Sequence, residues 1–255
     1  MEDIHRLWDE LADFDPARCD EALLHLMRRL CARIGADNAI WLGVVRADEV
    51  GPEDPTGGWR AVVIRNLETT PLLDEAVQRQ KELLDKGVAD IATLRHLAGG
   101  GKFRTHRLCD VVEAAWFQSD YYRVFYLDAG LEDAILSSFP INQDAESWIG
   151  LHRRTGRAPF DEAERDDLAR IMRGLKWFHR HLMLSHGLLV ADSPLTAAER
   201  KVLHLFLTGL PEKHIAEQLG RSPHTIHDTV AAIYRKFGVK SRSALMAIWL
   251  GSSAG

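Results

Sequence analysis

The chain has 255 residues, of which 46% are hydrophobic and 27% charged, and its formal net charge is −5. This apolar fraction suffices for a folded core and excludes a disordered or collagen-like chain. The three cysteines form no close pair, which argues against a disulfide framework and favours a reducing cytoplasm. No apolar run approaches the roughly 18 residues of a membrane span, and the acidic, polar start is not typical of a signal peptide.

The charge is distributed unevenly along the chain. From Pro194 onward there are eight basic and four acidic residues, a net +4, so the preceding residues carry −9. Such a division predicts two units with different partners, the basic one facing an anion. A short polar stretch at 190–194 ends in a proline that disfavours helix continuation, and it is the predicted linker. The predicted domains are therefore 1–189 and 195–255.

The first 160 residues alternate between helical and strand patterns. Helices are predicted at 3–14, 17–34, 71–84, 91–97 and 120–126, and strands at 39–45, 59–65, 103–108, 133–139 and 147–153. The strand at 39–45 is nearly all apolar, as expected of a strand that is covered on both faces. These patterns predict a central sheet with helices on its faces, in an α/β or α+β domain.

Residues 161–189 are predicted to form one long helix. Asp161 is a suitable N-cap, and Glu162 and Glu164 lie near the positive end of the helix dipole. Apolar residues recur at spacings of three, four or seven, and the stripe comprises Leu168, Ile171, Leu175, Phe178, Leu182 and Leu189. This stripe either packs on its own domain or pairs with a second chain.

The residues from 195 onward predict a bundle of four helices. Thr196 and Glu199 have the spacing of a capping box at the first helix. Gly220 permits a tight turn after the second helix, and Ser222 caps the third. Two short helices joined by a glycine turn are typical of the helix-turn-helix arrangement, whose second helix fits a DNA major groove about 12 Å wide.

An ordered, ungapped motif spans these helices. It comprises Leu195, Thr196, Glu199, Val202, Leu203, Gly209, Leu210, Lys213, Ile215, Ala216, Glu217, Leu219, Gly220, Ser222, Thr225, Ile226, Ile233, Arg235, Lys236, Phe237, Gly238, Val239, Ser241 and Arg242. The motif resembles the LuxR-type DNA-binding domain. The resemblance implies an all-α four-helix domain in which the helix after Ser222 is the recognition helix and the last helix helps to dimerise two domains.

The resemblance also implies which residues face DNA. They are Lys213, Ser222, His224, Thr225, His227, Asp228, Ala231, Arg235 and Lys236. Phosphate contacts are expected from the cations and the hydroxyls, and base contacts from His227, Asp228 and Ala231. Asp228 can accept from a cytosine amino group, and His227 can donate to a guanine. Family members often carry lysine where this chain has His227 and Ala231, so affinity is expected to be modest or to depend on dimerisation.

The length, the element order and short stretches at 120–126, 130–133 and 159–164 resemble a GAF-like sensor domain. This resemblance implies an α+β domain with a central antiparallel sheet and a ligand between the sheet and the helices that cross it. Aromatic residues are the candidates for such a pocket, and they are Trp41, Trp59, Trp116, Tyr121, Tyr122, Tyr126 and Trp148. Each of these residues has core packing as its alternative role.

A related class, the quorum-sensing regulators that bind acyl-homoserine lactones, carries a Trp/Tyr/Asp/Trp set in its binding domain. Here Trp41 and Trp59 are followed by an aromatic-free stretch at 60–102, so an unknown small molecule ranks above that ligand. Enzyme chemistry is not predicted, because Gly99–Lys102 lacks the spacing of a phosphate-binding loop and is expected to be a flexible loop. Neither a metal nor a cofactor is expected.

The sequence thus predicts a cytoplasmic, homodimeric transcription regulator. A small-molecule or partner signal in the N-terminal domain would be coupled to double-stranded DNA through the C-terminal helix-turn-helix. One alternative is the acyl-homoserine-lactone regulator. A second alternative is a protein-interaction module whose DNA contacts have weakened.

Overall fold

The structure is a computed structural model that describes residues 2–15, 18–47, 51, 53–188 and 195–249. The elements, in chain order, are α1 (Glu2–Ala12), α2 (Cys19–Ile34), β1 (Asn38–Arg46), β2 (Trp59–Asn66), α3 (Pro71–Asp85), α4 (Ile91–Leu97), β3 (Arg104–Arg107), α5 (Leu108–Val111), α6 (Asp120–Phe125), β4 (Leu131–Pro140), β5 (Ala145–Arg154), α7 (Glu162–Arg173), α8 (Lys176–Ser185), α9 (Ala197–Leu207), α10 (Glu212–Leu219), α11 (Pro223–Lys236) and α12 (Arg242–Trp249). The predicted linker at 190–194 lies outside the described residues.

The chain divides into two compact units. The first comprises the residues up to Trp8 together with Leu24–Lys176, and the second comprises Asp9–Leu23 together with the residues from Trp177 onward. This division places α8 with the C-terminal helices, whereas the sequence predicted residues up to 189 in the N-terminal domain.

The first unit is built on a five-stranded sheet in the order β2-β1-β5-β4-β3. All of its strand pairs are antiparallel, which confirms the predicted central antiparallel sheet. The middle strand, β5, pairs Gly150 with Ile40 of β1 and with Leu136 of β4. Successive side chains of a strand point to opposite faces, so Trp148, Gly150 and His152 share one face of the sheet.

Local sequence signals fix the ends of several helices in this unit. Thr70, Asp90, Ser119 and Asp161 stand at the N-caps of α3, α4, α6 and α7, and each side chain accepts a hydrogen bond from a backbone N–H of the first turn. The helix α3 packs against β2, and α7 packs against β3 and β4.

The predicted continuous helix at 161–189 is wrong. The helix α7 ends at Arg173, and α8 begins at Lys176. At the break, the N–H groups of Gly174 and Leu175 donate to carbonyls three residues earlier rather than four. The indole of Trp8 packs so closely on Gly174 that a Cβ atom there would collide with the ring. Five members of the predicted apolar stripe pack within the chain, because Leu168, Ile171, Leu175, Phe178 and Leu182 are all buried. The sixth, Leu189, lies outside the described residues.

The C-terminal helices of the second unit share one apolar core. Its buried members are Leu184, Leu195, Val202, Leu203, Phe206, Ile215, Ala216, Ile226, Val230, Ile233, Phe237, Val239, Leu245 and Ile248. The helices α9 to α12 match the four helices predicted for this region. The capping box is confirmed, since Glu199 N–H donates to Thr196 Oγ1 and Thr196 N–H donates to Glu199 Oε2.

None of the helices in the described part of the chain combines the length and apolar character that a membrane span requires. Over the same residues, no group of three His, Cys, Asp or Glu side chains is arranged to hold a metal ion.

Candidate functional site

A cavity of about 310 Å³ lies between one face of the sheet and the helices α3, α4 and α6. The sheet contributes Ile40, Leu42, Ala61, Ile64, Ala134, Leu136, Trp148, Gly150 and His152, and the helices contribute Leu73, Ala76, Val77, Gln80, Leu84, Ala92, Thr93, Tyr121 and Phe125. The walls are mostly apolar, with a few polar groups, as is usual for sites that bind small molecules.

Gly150 lies in the cavity wall and, having no side chain, leaves space above the sheet at its position. It lies in the middle strand between Ile40 and Leu136. A Cβ atom at this position would stand 2.8 Å from Cγ2 of Ile40 and 3.7 Å from Cδ1 of Leu136. Any other residue would therefore displace a neighbour or fill the cavity. A glycine inside a predicted strand is a known sign of such a close approach.

Asp90 and Tyr121 provide polar groups on the helical side of the cavity. The carboxylate of Asp90 accepts from two backbone N–H groups at the start of α4 and, at 3.1 Å, from the indole N–H of Trp116. The amide of Gln80 donates to the hydroxyl of Tyr121 at 3.2 Å. Burial raises the pKa of Tyr121 well above the usual value, so this residue is a neutral phenol.

His152 provides a polar group on the sheet side. Its Nδ1 atom is buried, and no described residue lies within hydrogen-bond distance of it. Burial lowers the pKa of His152 to about 4, so the imidazole is neutral at pH 7. The sequence does not single out His152, because the pattern of β5 predicts a strand without showing which of its faces borders a cavity.

Lys81 and Arg107, the cations in the described lining, both have carboxylate partners. The ammonium of Lys81 pairs with Asp85 one turn along α3. The guanidinium of Arg107 lies 2.6 Å from Asp110 and 3.5 Å from Glu162. The charge of each cation is thus compensated within the chain, which leaves little electrostatic attraction for an anionic ligand.

The aromatic residues predicted to bind a ligand divide into two groups. Tyr121, Tyr126 and Trp148 line the cavity. The other four, Trp41, Trp59, Trp116 and Tyr122, are not in its lining. Trp41 donates to Ser147 Oγ at 2.9 Å, and Trp59 lies in an apolar cluster with Val44 and Leu97. Trp116 and Tyr122 pack on each other. For these four residues core packing is the observed role.

The glycine-rich stretch at 99–101 is held against the sheet. The N–H of Gly101 donates to Glu146 at 2.7 Å, and Arg104 makes two hydrogen bonds to the same carboxylate at 2.8 and 2.9 Å. The indole N–H of Trp148 also donates to Glu146, at 2.6 Å. This buried ion pair ties the loop to a cavity-lining strand.

The second candidate site is the exposed side of α11. Gly220 has φ +61° at the end of α10, a left-handed conformation that glycine adopts readily. Ser222 caps α11 by accepting from the N–H of Thr225 at 3.1 Å, and Pro223 follows in the first turn. The helix buries Ile226 on its inner side and presents polar residues outward.

The predicted DNA-facing residues differ in their exposure. Eight are exposed, namely Lys213, Ser222, His224, Thr225, His227, Asp228, Ala231 and Arg235. Lys236 is half-buried, and its ammonium lies 2.8 Å from Oε2 of Glu199. Lys236 therefore joins α11 to the start of α9, which is a structural role that the motif did not indicate.

Both histidines on the exposed side of α11 lie beside carboxylates. His224 Nδ1 is 2.9 Å from Asp228 Oδ2, and His227 Nδ1 is 3.1 Å from Glu212 Oε2. A base contact by either histidine would share or replace these pairs. The sequence does not reveal Glu212 as a partner of His227, because it lies on the neighbouring helix α10 and no local spacing relates the two residues.

Comparison with known proteins assigns a family to the C-terminal part of the chain. Residues 193–249 match the family model described as bacterial regulatory proteins, luxR family. No curated protein sequence matches the chain significantly.

Three solved structures resemble the fold at low identity. A structure of Escherichia coli SdiA has a TM-score of 0.49 and 13% identity, covering 98% of this chain and 95% of that chain. A complex of SdiA with octanoyl-rac-glycerol has a TM-score of 0.48 and 11% identity, and the match covers 98% of this chain and 94% of that chain. The VqsR LBD domain from Pseudomonas aeruginosa has a TM-score of 0.44 and 14% identity, and the match covers 72% of this chain and 95% of that chain. The similarity to a named family therefore lies in residues 193–249, which match the luxR family model.

Proposed function

We propose that this protein is a DNA-binding transcription regulator whose N-terminal domain receives a small-molecule or partner signal. The observation that carries the proposal is the exposed side of α11, because a helix-turn-helix of the LuxR family presents there a capped N-terminus, Arg235 and a set of hydrogen-bonding side chains. Such a helix fits the major groove, and its N-terminal N–H groups favour phosphate.

The cavity supports the sensing part of this proposal. It is enclosed by a sheet and helices, has mostly apolar walls and contains few polar groups. The proposal also holds that this domain is GAF-like and that the protein is a cytoplasmic homodimer. Two domains in a dimer would read half-sites about one DNA turn apart.

A gel-shift selection from random double-stranded oligonucleotides tests the proposal. The full chain is expected to enrich a specific sequence, with an affinity that falls steeply as salt rises. Arg235→Ala is expected to weaken binding to all sequences alike, and Asp228→Ala to alter preference at one base position. The two variants form a matched pair on one helix face.

Absence of any shift at low salt would contradict the proposal. It would favour a protein-interaction module instead, an alternative that the pairing of Glu212 and Asp228 with the two histidines supports. Identical behaviour of the two variants would contradict the assignment of α11 to the groove.

A further inference from the structure

His152 lines the cavity and has a buried ring nitrogen with no hydrogen-bond partner among the described residues. Asp90 accepts from two backbone N–H groups, the Thr93 hydroxyl and the Trp116 indole, and Tyr121 accepts from Gln80. By contrast, Nδ1 of His152 is buried with no described hydrogen-bond partner. Buried polar groups are normally paired, and an unpaired one in a native structure needs an explanation.

The position of His152 in the strand directs it to the cavity. It follows Trp148 and Gly150 on the cavity face of β5 and lies opposite Ala134 of β4. Its Cε1 atom is 3.7 Å from where a Cβ of Gly150 would stand, so the ring borders the space that this glycine leaves open.

The charge state of this part of the cavity restricts the ligand. Burial lowers the pKa of His152 to about 4, so the neutral imidazole has one donor and one acceptor nitrogen. In the commoner neutral tautomer Nε2 carries the proton, which leaves Nδ1 as the acceptor. The lining cations Lys81 and Arg107 are already paired with carboxylates, so an anionic ligand would lose its hydration without gaining a counter-charge. The carboxylate of Asp90 is already occupied by hydrogen bonds from the start of α4 and from Trp116, which disfavours its use as the partner of a cationic ligand.

We propose that His152 is a specificity-determining residue that anchors a neutral, mainly apolar ligand by accepting, at Nδ1, a hydrogen bond from an O–H or N–H group of that ligand. This inference rests on the proposed ligand-binding role of the N-terminal domain.

Three fluorescent probes of one scaffold test the inference on the full chain. N-phenyl-1-naphthylamine is neutral and has a single N–H donor, 1-phenoxynaphthalene replaces that N–H with an ether oxygen, and 1-anilinonaphthalene-8-sulfonate adds a negative charge. The first probe is expected to bind most tightly. The variant His152→Phe keeps a ring but removes both nitrogens, and it is expected to weaken binding of the amine about threefold to tenfold and to leave binding of the ether unchanged.

Two further variants separate the possible failures. His152→Gln retains an acceptor and is expected to keep more amine affinity than His152→Phe, which preserves the comparison if the phenylalanine variant does not fold. Ala76→Leu adds atoms to the α3 wall of the cavity and is expected to weaken all three probes. Thermal unfolding of each variant checks that it is folded.

Each result is decisive. If Ala76→Leu leaves amine binding unchanged, the probe does not occupy the cavity and the proposed sensing role fails with it. If Ala76→Leu weakens the amine but His152→Phe does not, or if it weakens the ether equally, the cavity stands and the anchoring role of His152 is overturned. If the sulfonate binds as tightly as the amine and responds equally to Ala76→Leu, the requirement for a neutral ligand is overturned.

Discussion

Arg235 and Lys236 are adjacent cations near the end of α11, but their surroundings differ. Arg235 is exposed, whereas the ammonium of Lys236 is half-buried against Glu199. Burial alone would raise the pKa of Glu199, but hydrogen bonds from Lys236 and from the Thr196 backbone outweigh it and lower that pKa. Lys236 thus stabilises the carboxylate that completes the capping box of α9.

The two residues are expected to separate stability from DNA affinity. Lys236→Ala should lower the free energy of unfolding of the C-terminal domain by about 1 to 2 kcal/mol, because a charge-assisted hydrogen bond is lost. Arg235→Ala should leave stability nearly unchanged but weaken DNA binding and reduce the salt slope by about one. Urea unfolding and gel shifts of both variants measure this, and a larger salt effect from Lys236→Ala would contradict it.

Two tryptophans show why the cavity lining could not be predicted from the sequence. Trp41 and Trp148 lie on paired strands with similar apolar patterns, but only Trp148 faces the cavity. Strands that are covered on both faces read as nearly continuous apolar runs, so their alternation does not reveal which side holds a ligand. The face that each tryptophan takes depends on contacts between strands. Ser147 accepts a hydrogen bond from Trp41, and Gly150 lies between Ile40 and Leu136 on the cavity side.

Among the elements, α7 is tied to the sheet through its capping box. Asp161 accepts from the N–H of Glu164 at 2.8 Å, and Glu164 accepts from the N–H of Asp161 at 2.9 Å. The same glutamate pairs with Arg153 of β5 at 2.6 Å. The start of the helix therefore positions a side chain that joins α7 to the middle strand.

Asp161→Ala is expected to lower the free energy of unfolding by about 1 kcal/mol, since the first turn loses its side-chain acceptor. Asp166→Ala is the matched control, because Asp166 lies on the exposed side of the same helix and pairs only with its neighbour Arg165 among the described side chains. The control should change stability by less than about 0.5 kcal/mol. Equal effects of the two variants in urea unfolding would show that the cap is not the cause.

Element boundaries were predictable where their causes are local. The N-caps of α7, α9 and α11 follow from Asp161, Thr196 and Ser222 and the residues three positions on. The break between α7 and α8 was missed because no cap motif marks it in the sequence. The Trp8 ring that packs on Gly174 there comes from more than 160 positions away. The apolar stripe continues on both sides of Gly174, from Ile171 to Leu175, so periodicity alone indicates one helix.

At the scale of the whole molecule, a buried neutral histidine occurs in each of the two units. Burial lowers the pKa of His152 in the first unit and of His204 in the second to about 4. In the unfolded chain a histidine titrates near 6.5. Between these values the unfolded state binds more protons than the folded state, so stability rises with pH and is lost as the pH falls from about 6.5 to 4.

Each of the two histidines is expected to make the free energy of unfolding increase by up to about 1.4 kcal/mol per pH unit in this window. Urea unfolding of the full chain between pH 4.5 and 7.5, compared for the wild type, His152→Phe and His204→Phe, measures the slopes. Each variant should have a smaller slope than the wild type. An unchanged slope in His152→Phe would contradict a buried neutral imidazole at this position.

Gly150 has a consequence for how variation in this protein is interpreted. The absence of a side chain that leaves this space in the cavity is also required by the sheet itself, since a Cβ would meet Ile40 at 2.8 Å. In a library randomised at this codon and selected only for folded protein, glycine would be recovered with no signal molecule present. A glycine retained at position 150 therefore indicates strand packing and gives no information about a ligand. Differences in ligand preference are expected at positions such as Ala76 and His152, where substitution changes the cavity without that constraint from the sheet.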